Sequence, residues 1–190
     1  MLKMESPLPR KLLILDIDST LVWAETTELK DYDTVLWLQD ETLPVWVKKR
    51  PHVDELIEYI FTEYDIAVFS AGEYEYVRAV CRYLFVDRPL VFIMSAERCT
   101  LYFTKQNLHS RITIKKLQKV WVCKKYKNKY RKNNTLILDD TAETYIKNHG
   151  NAIPIASYYG GKKDIELPRI ILLLKTLVGV YDVRRVNKGN

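Results

Sequence analysis

The sequence predicts an α/β fold around a mostly parallel central sheet, and three observations carry that prediction. Three apolar runs end abruptly in acidic or hydroxyl residues: Leu12-Leu13-Ile14-Leu15 before Asp16, Ile66-Ala67-Val68-Phe69 before Ser70, and Leu136-Ile137-Leu138 before Asp139. Unbroken apolar runs mark strands covered on both faces. Between them lie stretches whose apolar residues recur at spacings of three and four, the period of a helix. Strands that alternate with helices imply parallel pairing through crossovers.

Residues 1–10 read as a flexible arm and 11–15 as the first strand. Residues 35–38 and 44–47 alternate around a polar turn at 39–42, a β-hairpin inserted at about 34–48. Pro51 opens a helix whose stripe is Val53, Leu56, Ile57, Ile60, Phe61 and Tyr64. A strand over 65–69 follows, then a helix carrying Val77, Val80, Cys81, Leu84 and Phe85. A short strand is expected over 90–94. Ile114, Leu117, Val120 and Trp121 mark a helix that reaches toward Tyr130. Strands at 135–138 and 152–155 precede a last helix bearing Leu167, Ile170, Ile171, Leu174 and Leu177. The chain of 190 residues suits one domain over 11–185 with a tail at 186–190, and that length buries roughly 70% of the unfolded surface.

Parallel strands deliver their carboxyl ends to one edge of the sheet, where open α/β folds hold their sites. Asp16, Asp18, Thr20, Ser70, Asp139 and Asp140 therefore converge there, and Lys115 lies between the second and third runs. Two carboxylates two residues apart can divide the roles of nucleophile and acid/base around one cation. The other reading of Asp16–Thr20 is a polar turn that caps a helix. Ser70 either bonds a phosphoryl oxygen or caps the helix after its strand.

The segment from Asp16 to Thr20 resembles the D-x-D-x-T motif of haloacid-dehalogenase-type phosphotransferases. Lys49-Arg50-Pro51-His52, Val68-Phe69-Ser70-Ala71, Ile114-Lys115-Lys116-Leu117, Leu136-Ile137-Leu138-Asp139-Asp140 and Ala152-Ile153-Pro154-Ile155-Ala156-Ser157 follow in order. Together they resemble one branch, the FCP/SCP-type small phosphatases that act on the C-terminal domain of RNA polymerase II. The likeness covers about residues 11–185. It implies a Rossmann-like haloacid-dehalogenase core, Mg²⁺, and phosphoserine or phosphothreonine in a protein or peptide. It also implies roles. Asp16 is the nucleophile that forms an aspartyl-phosphate, and Asp18 is the acid/base. Asp16, Asp140 and the main-chain carbonyl of Asp18 hold the metal. Thr20, Ser70 and Lys115 bind phosphate, and Lys115 rather than Lys116 balances its charge. Asp139 either touches the ion or bonds a group that does.

Substrate choice is less constrained by the residues. Trp23, Trp37 and Trp46 cluster at the hairpin; packing is the default for such aromatics, while Trp37 and Trp46 could line a slot for proline. Arg50 is a candidate phosphate ligand or a salt-bridge partner. The chain carries a net charge of +6, which suits phosphorylated ligands and nucleic acid alike. From Thr113 to Asn134 there are nine Lys or Arg and no acid. Within it, 124–132 reads as a solvated helix extension, or as a surface for acidic peptide or nucleic acid with Tyr126 and Tyr130 interleaved.

Cys81, Cys99 and Cys123 lack C-x-x-C spacing and begin no Cys-x5-Arg loop, which excludes a cysteine-based phosphatase. They read as reduced thiols. His52, His109 and His149 lack metal-ligand spacing. No signal peptide is recognised and no apolar run is long enough to span a bilayer. An intracellular, reducing compartment, nuclear or cytoplasmic, is expected. The leading function is a Mg²⁺-dependent protein serine/threonine phosphatase. Its rivals are a polynucleotide 3′-phosphatase and a catalytically silent phosphopeptide-binding module. The sequence does not assign an oligomeric state.

Overall fold

The first apolar run becomes the middle of the molecule. The computed structural model describes residues 10–104 and 107–189. Its elements in chain order are β1 (Lys11–Leu15), β2 (Val22–Glu25), β3 (Thr34–Leu38), β4 (Leu43–Lys49), α1 (Val53–Glu63), β5 (Tyr64–Phe69), α2 (Tyr74–Leu84) and β6 (Ile93–Met94). After these come β7 (Thr100–Thr104), β8 (Asn107–Ile114), α3 (Gln118–Trp121), β9 (Thr135–Asp139), β10 (Ala152–Pro154) and α4 (Glu166–Leu177).

The central sheet has the order β10-β9-β1-β5-β6, with every pair parallel. All five residues of β1 are buried. Their alternation sorts them between two cores, as the period of two requires. Leu13 and Leu15 pack with Ile66, Val68, Leu136 and Leu138 beneath α1, α2 and α4. Leu12 and Ile14 pack on the other face with Ala67, Phe69 and Ile137, under Leu117, Val120 and Tyr130. The chain leaves β1 toward β5 on one side and leaves β9 toward β10 on the other. The topological switch point therefore lies between β1 and β9, where such sheets open a crevice for ligands.

The hairpin insertion is present and larger than expected. β2 adds to it, giving a three-stranded antiparallel sheet of order β2-β4-β3. Val22–Glu25 carries no alternating pattern of its own, so pairing with β4 makes it a strand. At the turn Gln39, Asp40 and Glu41 all have positive φ. The main-chain N–H of Gln39 donates to Glu75 Oε1 at 2.8 Å, which leans the hairpin on α2.

A second hairpin, β7–β8, was not expected. Lys115 follows directly after β8, not inside a helix. The helix proposed to reach Tyr130 is only Gln118–Trp121, and 123–130 form successive tight turns. Turning the chain there points two tyrosines inward. Tyr130 is buried with its hydroxyl donating to Asp65 at 2.9 Å, and Tyr126 meets Phe92 with ring centroids 5.4 Å apart.

The arm expected over 1–10 falls almost entirely outside the described residues, while the expected tail at 186–190 is held through Lys188. Residues 1–9 and 190 lie outside the described residues, but the Arg10 guanidinium donates to the carbonyls of Phe61, Thr62 and Tyr64. Lys188 is buried, its ammonium donating to the carbonyls of Val183 and Val186 at 2.8 Å each. No helix among the described residues is long and apolar enough to cross a membrane.

Of the two roles open to Arg50, phosphate ligand or salt-bridge partner, the fold displays the second. The Arg50 side chain is fully buried and forms a two-pronged pair with Asp164, at 2.9 and 2.8 Å. It also donates to the carbonyls of Thr20 at 3.1 Å and Ala156 at 2.8 Å. The guanidinium fork suits such multiple acceptors. Beside it, Gly160 has φ +83°, and a Cβ there would lie 2.4 Å from the Trp23 ring. The loop after β10 thus closes on the base of the inserted sheet. Removing one partner from a buried ion pair leaves the other charge uncompensated. Arg50→Ala should therefore lower unfolding free energy by about 3–5 kcal/mol in chemical denaturation.

Candidate active site

Register brings the acidic tips together. Leu15 of β1 faces Leu138 of β9, and the main-chain N–H of Asp16 donates to Leu138 O at 2.9 Å. Asp16 therefore stands beside Asp139 at the switch point. Past Asp16 the chain turns sharply. The N–H groups of Thr20 and Leu21 return to Ile17 O, and Ser19 takes φ 56°. This turns the Ser19 carbonyl toward the N–H of Tyr158 at 2.7 Å.

Lys115 lies at the centre of the cluster. Its ammonium is buried and donates to Asp16 Oδ1 at 2.5 Å and to Asp139 Oδ2 at 2.8 Å. The other Asp16 oxygen accepts from the Thr20 hydroxyl at 3.3 Å, which lies equally far from Asp140 Oδ1. Asp139 is saturated by further donors, the Thr144 hydroxyl at 2.7 Å and the Thr141 N–H at 3.0 Å. Asp140 Oδ2 accepts from Ser157 Oγ at 2.6 Å. Sequence reasoning missed Thr144 and Ser157. Ser157 stood in a quoted motif, but nothing in its spacing revealed the bond.

Asp18 faces a different way. One oxygen accepts from the Tyr76 hydroxyl and the other from Ser70 Oγ at 3.4 Å. Ser70 also accepts from the Gly72 N–H at 2.9 Å. It orders the loop before α2 and does not cap the helix, whose N-cap is Glu73.

Four carboxylates, Asp16, Asp18, Asp139 and Asp140, thus gather around one ammonium. Burial pushes the Asp16 carboxyl above the usual range, with Lys115 pulling it down and Asp139 pushing it up. Burial likewise raises Asp18, against the hydrogen bonds from Tyr76 and Ser70. Burial disfavours the Lys115 ammonium too, but Asp16 and Asp139 more than offset this and hold it charged. A simple ion pair would lower its acid and raise its base. Here both partners are raised: burial outweighs the pull of Lys115 on Asp16, while the two carboxylates outweigh burial at Lys115. Such a site fits a cation with hard oxygen donors. Carboxylate oxygens of Asp16, Asp139 and Asp140 lie within 4.8 Å of one another. Asp139 is fully buried against Lys115, whereas Asp140 is only half-buried at the mouth of the crevice.

Beside Asp18 opens a cavity of about 330 Å³, walled by Ala24, Leu38, Leu43, Val45, Glu73 and Tyr76. Trp37 and Trp46 are not in its wall. Strand alternation puts them on the opposite face of the hairpin from Leu38 and Val45, and Trp37 is 58% exposed. Within the basic stretch, Lys129 sits at the opposite end of the sheet from the acidic tips. It pairs at 2.9 Å with Asp65, near the amino end of β5. The tyrosines of the stretch pack toward the sheet, Tyr130 buried and Tyr126 half-buried.

This sheet order and acidic crevice define an open, doubly wound α/β fold with an acidic site at its switch point. The chain belongs to the NLI interacting factor-like phosphatase family, whose model matches residues 11–184. It is 30% identical to a probable C-terminal domain small phosphatase of Dictyostelium discoideum, across 93% of this chain and 53% of that protein. It is 32% identical to Phosphatase PSR1 of Saccharomyces cerevisiae, across 91% and 38%. It is 30% identical to the human carboxy-terminal domain RNA polymerase II polypeptide A small phosphatase 2, across 90% and 58%. The chain thus spans between 38% and 58% of the length of these relatives. The fission yeast RNA polymerase II CTD phosphatase Fcp1, solved with beryllium fluoride, shares the fold. Its TM-score is 0.55 at 17% identity, over 89% of this chain and 50% of that one.

The raised carboxyls set a pH dependence. A carboxyl with a folded pKa above its unfolded one binds more protons in the native state, so stability falls as pH rises between the two values. Without a divalent cation, the melting temperature should fall as pH rises from the ordinary carboxyl range toward neutrality. Adding the cation should recover more at pH 7 than at pH 5. A calorimetric series with and without chelator reads both effects.

Proposed function

We propose that this chain is a Mg²⁺-dependent protein serine/threonine phosphatase that works through an aspartyl-phosphate on Asp16, with the phosphorylated C-terminal domain of RNA polymerase II as its substrate class. The observation that carries this reading is the environment of Asp16: a buried carboxylate gripped by Lys115 and Thr20, with a second, protonatable carboxyl two residues on. The relatives' names support the substrate class.

The residues divide the work. Asp16 attacks phosphorus and the ester P–O bond breaks. Asp18, whose raised affinity suits a proton donor, protonates the departing serine or threonine oxygen. It then takes a proton from the water that cleaves the acyl-phosphate and frees Asp16. Lys115 balances charge on Asp16 and on the phosphoryl oxygens. Thr20 holds Asp16 toward Asp140, and Ser70 with Tyr76 holds Asp18. Mg²⁺, when bound by Asp16, Asp140 and the Asp18 carbonyl, would neutralise the repulsion between carboxylate and phosphate. The apolar wall of Leu38, Leu43 and Val45 beside Asp18 suits a proline next to the phosphorylated residue. This replaces the tryptophan slot with one on the other hairpin face.

The decisive experiment pairs two substitutions. Asp16→Asn should abolish turnover while circular dichroism stays native. Asp18→Asn should cost about 10²–10⁴-fold on phosphoserine peptide but far less on an aryl phosphate, whose leaving group needs no proton. Full activity in Asp16→Asn, or equal losses on both substrates for Asp18→Asn, would overturn the assignment.

Chelation should remove activity and Mg²⁺ restore it, with Asp140→Ala raising the Mg²⁺ concentration needed for half-maximal rate. Leu43→Ser should raise KM on Ser-Pro phosphopeptides several-fold, roughly the worth of one lost apolar contact. It should leave the aryl phosphate nearly untouched, and steady-state kinetics on both substrates separates the effects.

A further inference from the structure

Behind the strand that delivers Lys115 lies a second cavity, of about 360 Å³, which the mechanism does not use. Its walls are Tyr102, Lys116, Gln118, Trp121, Lys132, Lys147 and Asn148. Three are lysines and none is an acid. Among the described residues no carboxylate pairs with Lys116, Lys132 or Lys147; their ammonium groups sit over aromatic rings instead. Lys116 lies 4.7 Å from the centre of the Tyr102 ring and Lys147 lies 6.0 Å from it, while Lys132 lies 5.8 Å from the centre of Trp121. The rings form a floor that positions the cations without neutralising them. The cavity beside Arg50 differs, since its lysines meet Asp31, Asp33 and Asp54.

The cavity is also joined to the catalytic residues by short links. Lys116 is the neighbour of Lys115 in the chain, and alternation turns it to the opposite side. Asn148, in the cavity wall, donates to the Lys115 carbonyl at 2.6 Å and accepts from the Leu117 N–H at 3.3 Å. Thr144, three residues before Lys147, bonds both Asp139 through its hydroxyl and the Lys115 N–H through its carbonyl. An anion held here would lie against the segment that carries Lys115. Three ammonium groups without a carboxylate partner, on the half-buried Lys116 and the exposed Lys132 and Lys147, suit a phosphate dianion.

We propose that the Lys116–Lys132–Lys147 cavity is a second anion site, which takes a phosphoryl group of the protein substrate other than the one presented to Asp16. This rests on the phosphoprotein reading above and deepens it, by predicting preference for multiply phosphorylated substrates.

The test compares peptides bearing one phosphoserine with peptides bearing two, at a series of spacings. Binding is measured by calorimetry on Asp16→Asn, so that no peptide is consumed, and turnover is measured on the native chain. At the best spacing, the second phosphate should tighten binding about tenfold at low salt, with the gain shrinking as salt screens it. Adding Lys132→Gln and Lys147→Gln should erase that gain and leave the singly phosphorylated peptide bound as before. The same pair of changes in the active chain should leave aryl phosphate turnover within about twofold, since neither residue touches the reacting atoms. Extending the set with Lys116→Gln should add no loss on the singly phosphorylated peptide.

Equal binding of the two peptides at every spacing would overturn the second site. So would a gain that survives the lysine changes. Tighter binding of a single-stranded oligonucleotide than of any doubly phosphorylated peptide, lost with the same lysines, would also overturn it and assign the cavity to nucleic acid. Failure of the phosphatase reading shows differently, as no turnover of either peptide by the native chain, while the binding comparison still decides the second site.

Discussion

One buried ammonium makes the acidic edge of the sheet possible. Asp16 and Asp139 end adjacent strands, and parallel pairing forces their carboxylates together in a place that water barely reaches. Unpaired, two buried anions at that distance would not both ionise. Lys115 lies between them at 2.5 and 2.8 Å. It comes from a different part of the chain, the end of the β7–β8 hairpin, so that hairpin is tied to the central sheet through charge. The balance remains negative, which leaves the site short of positive charge. A divalent cation would make up that deficit.

The same logic of remote bracing governs the loops. The turn after Asp16 anchors itself in the core through the fully buried Ile17 and Leu21. It is held by Arg50 donating to the Thr20 carbonyl and by the Tyr158 N–H on the Ser19 carbonyl. Arg50 in turn leans on Asp164 and Ala156, and Ser157 in the same loop bonds Asp140. The base of the inserted sheet, the catalytic turn and the loop after β10 therefore form one brace. Burial excludes water from it, which strengthens each bond and makes any missing partner costly. Sites held on such braces keep their geometry when substrate arrives.

Two surfaces flank this centre and differ in kind. The groove beside Asp18 is apolar on its hairpin side and polar where Tyr76 and Glu73 face it. The cavity behind Lys115 is cationic over aromatic rings. The first suits the chain next to the reacting residue, and the second suits charge farther along it. Most of the strongly basic run serves neither purpose. Tyr126 and Tyr130 are consumed in covering the sheet, and Lys129 answers Asp65. Much of a charge run that invites a docking role is thus the solvated edge of a core segment.

The sequence by itself determined the parallel sheet, its apolar strands and the acidic tips, because side-chain periodicity and chain order decide these locally. Asp16, Asp18, Asp139 and Asp140 were legible for that reason, and Lys115 through the resemblance of its short motif. Tertiary structure alone decided what each group touches. It made β2 a strand by giving it β4 as a partner, and cut the helix after Lys115 to a single turn because the sheet needed Tyr130 inside. It sent Arg50 inward and turned Trp37 and Trp46 away from the groove, since hairpin register chooses which alternate residues face Asp18. It brought Ser157, Thr144 and Tyr76 to the carboxylates from positions that no spacing rule connects. Such contacts depend on the path of loops, and loop paths follow from the balance of burial and hydrogen bonding over the whole chain.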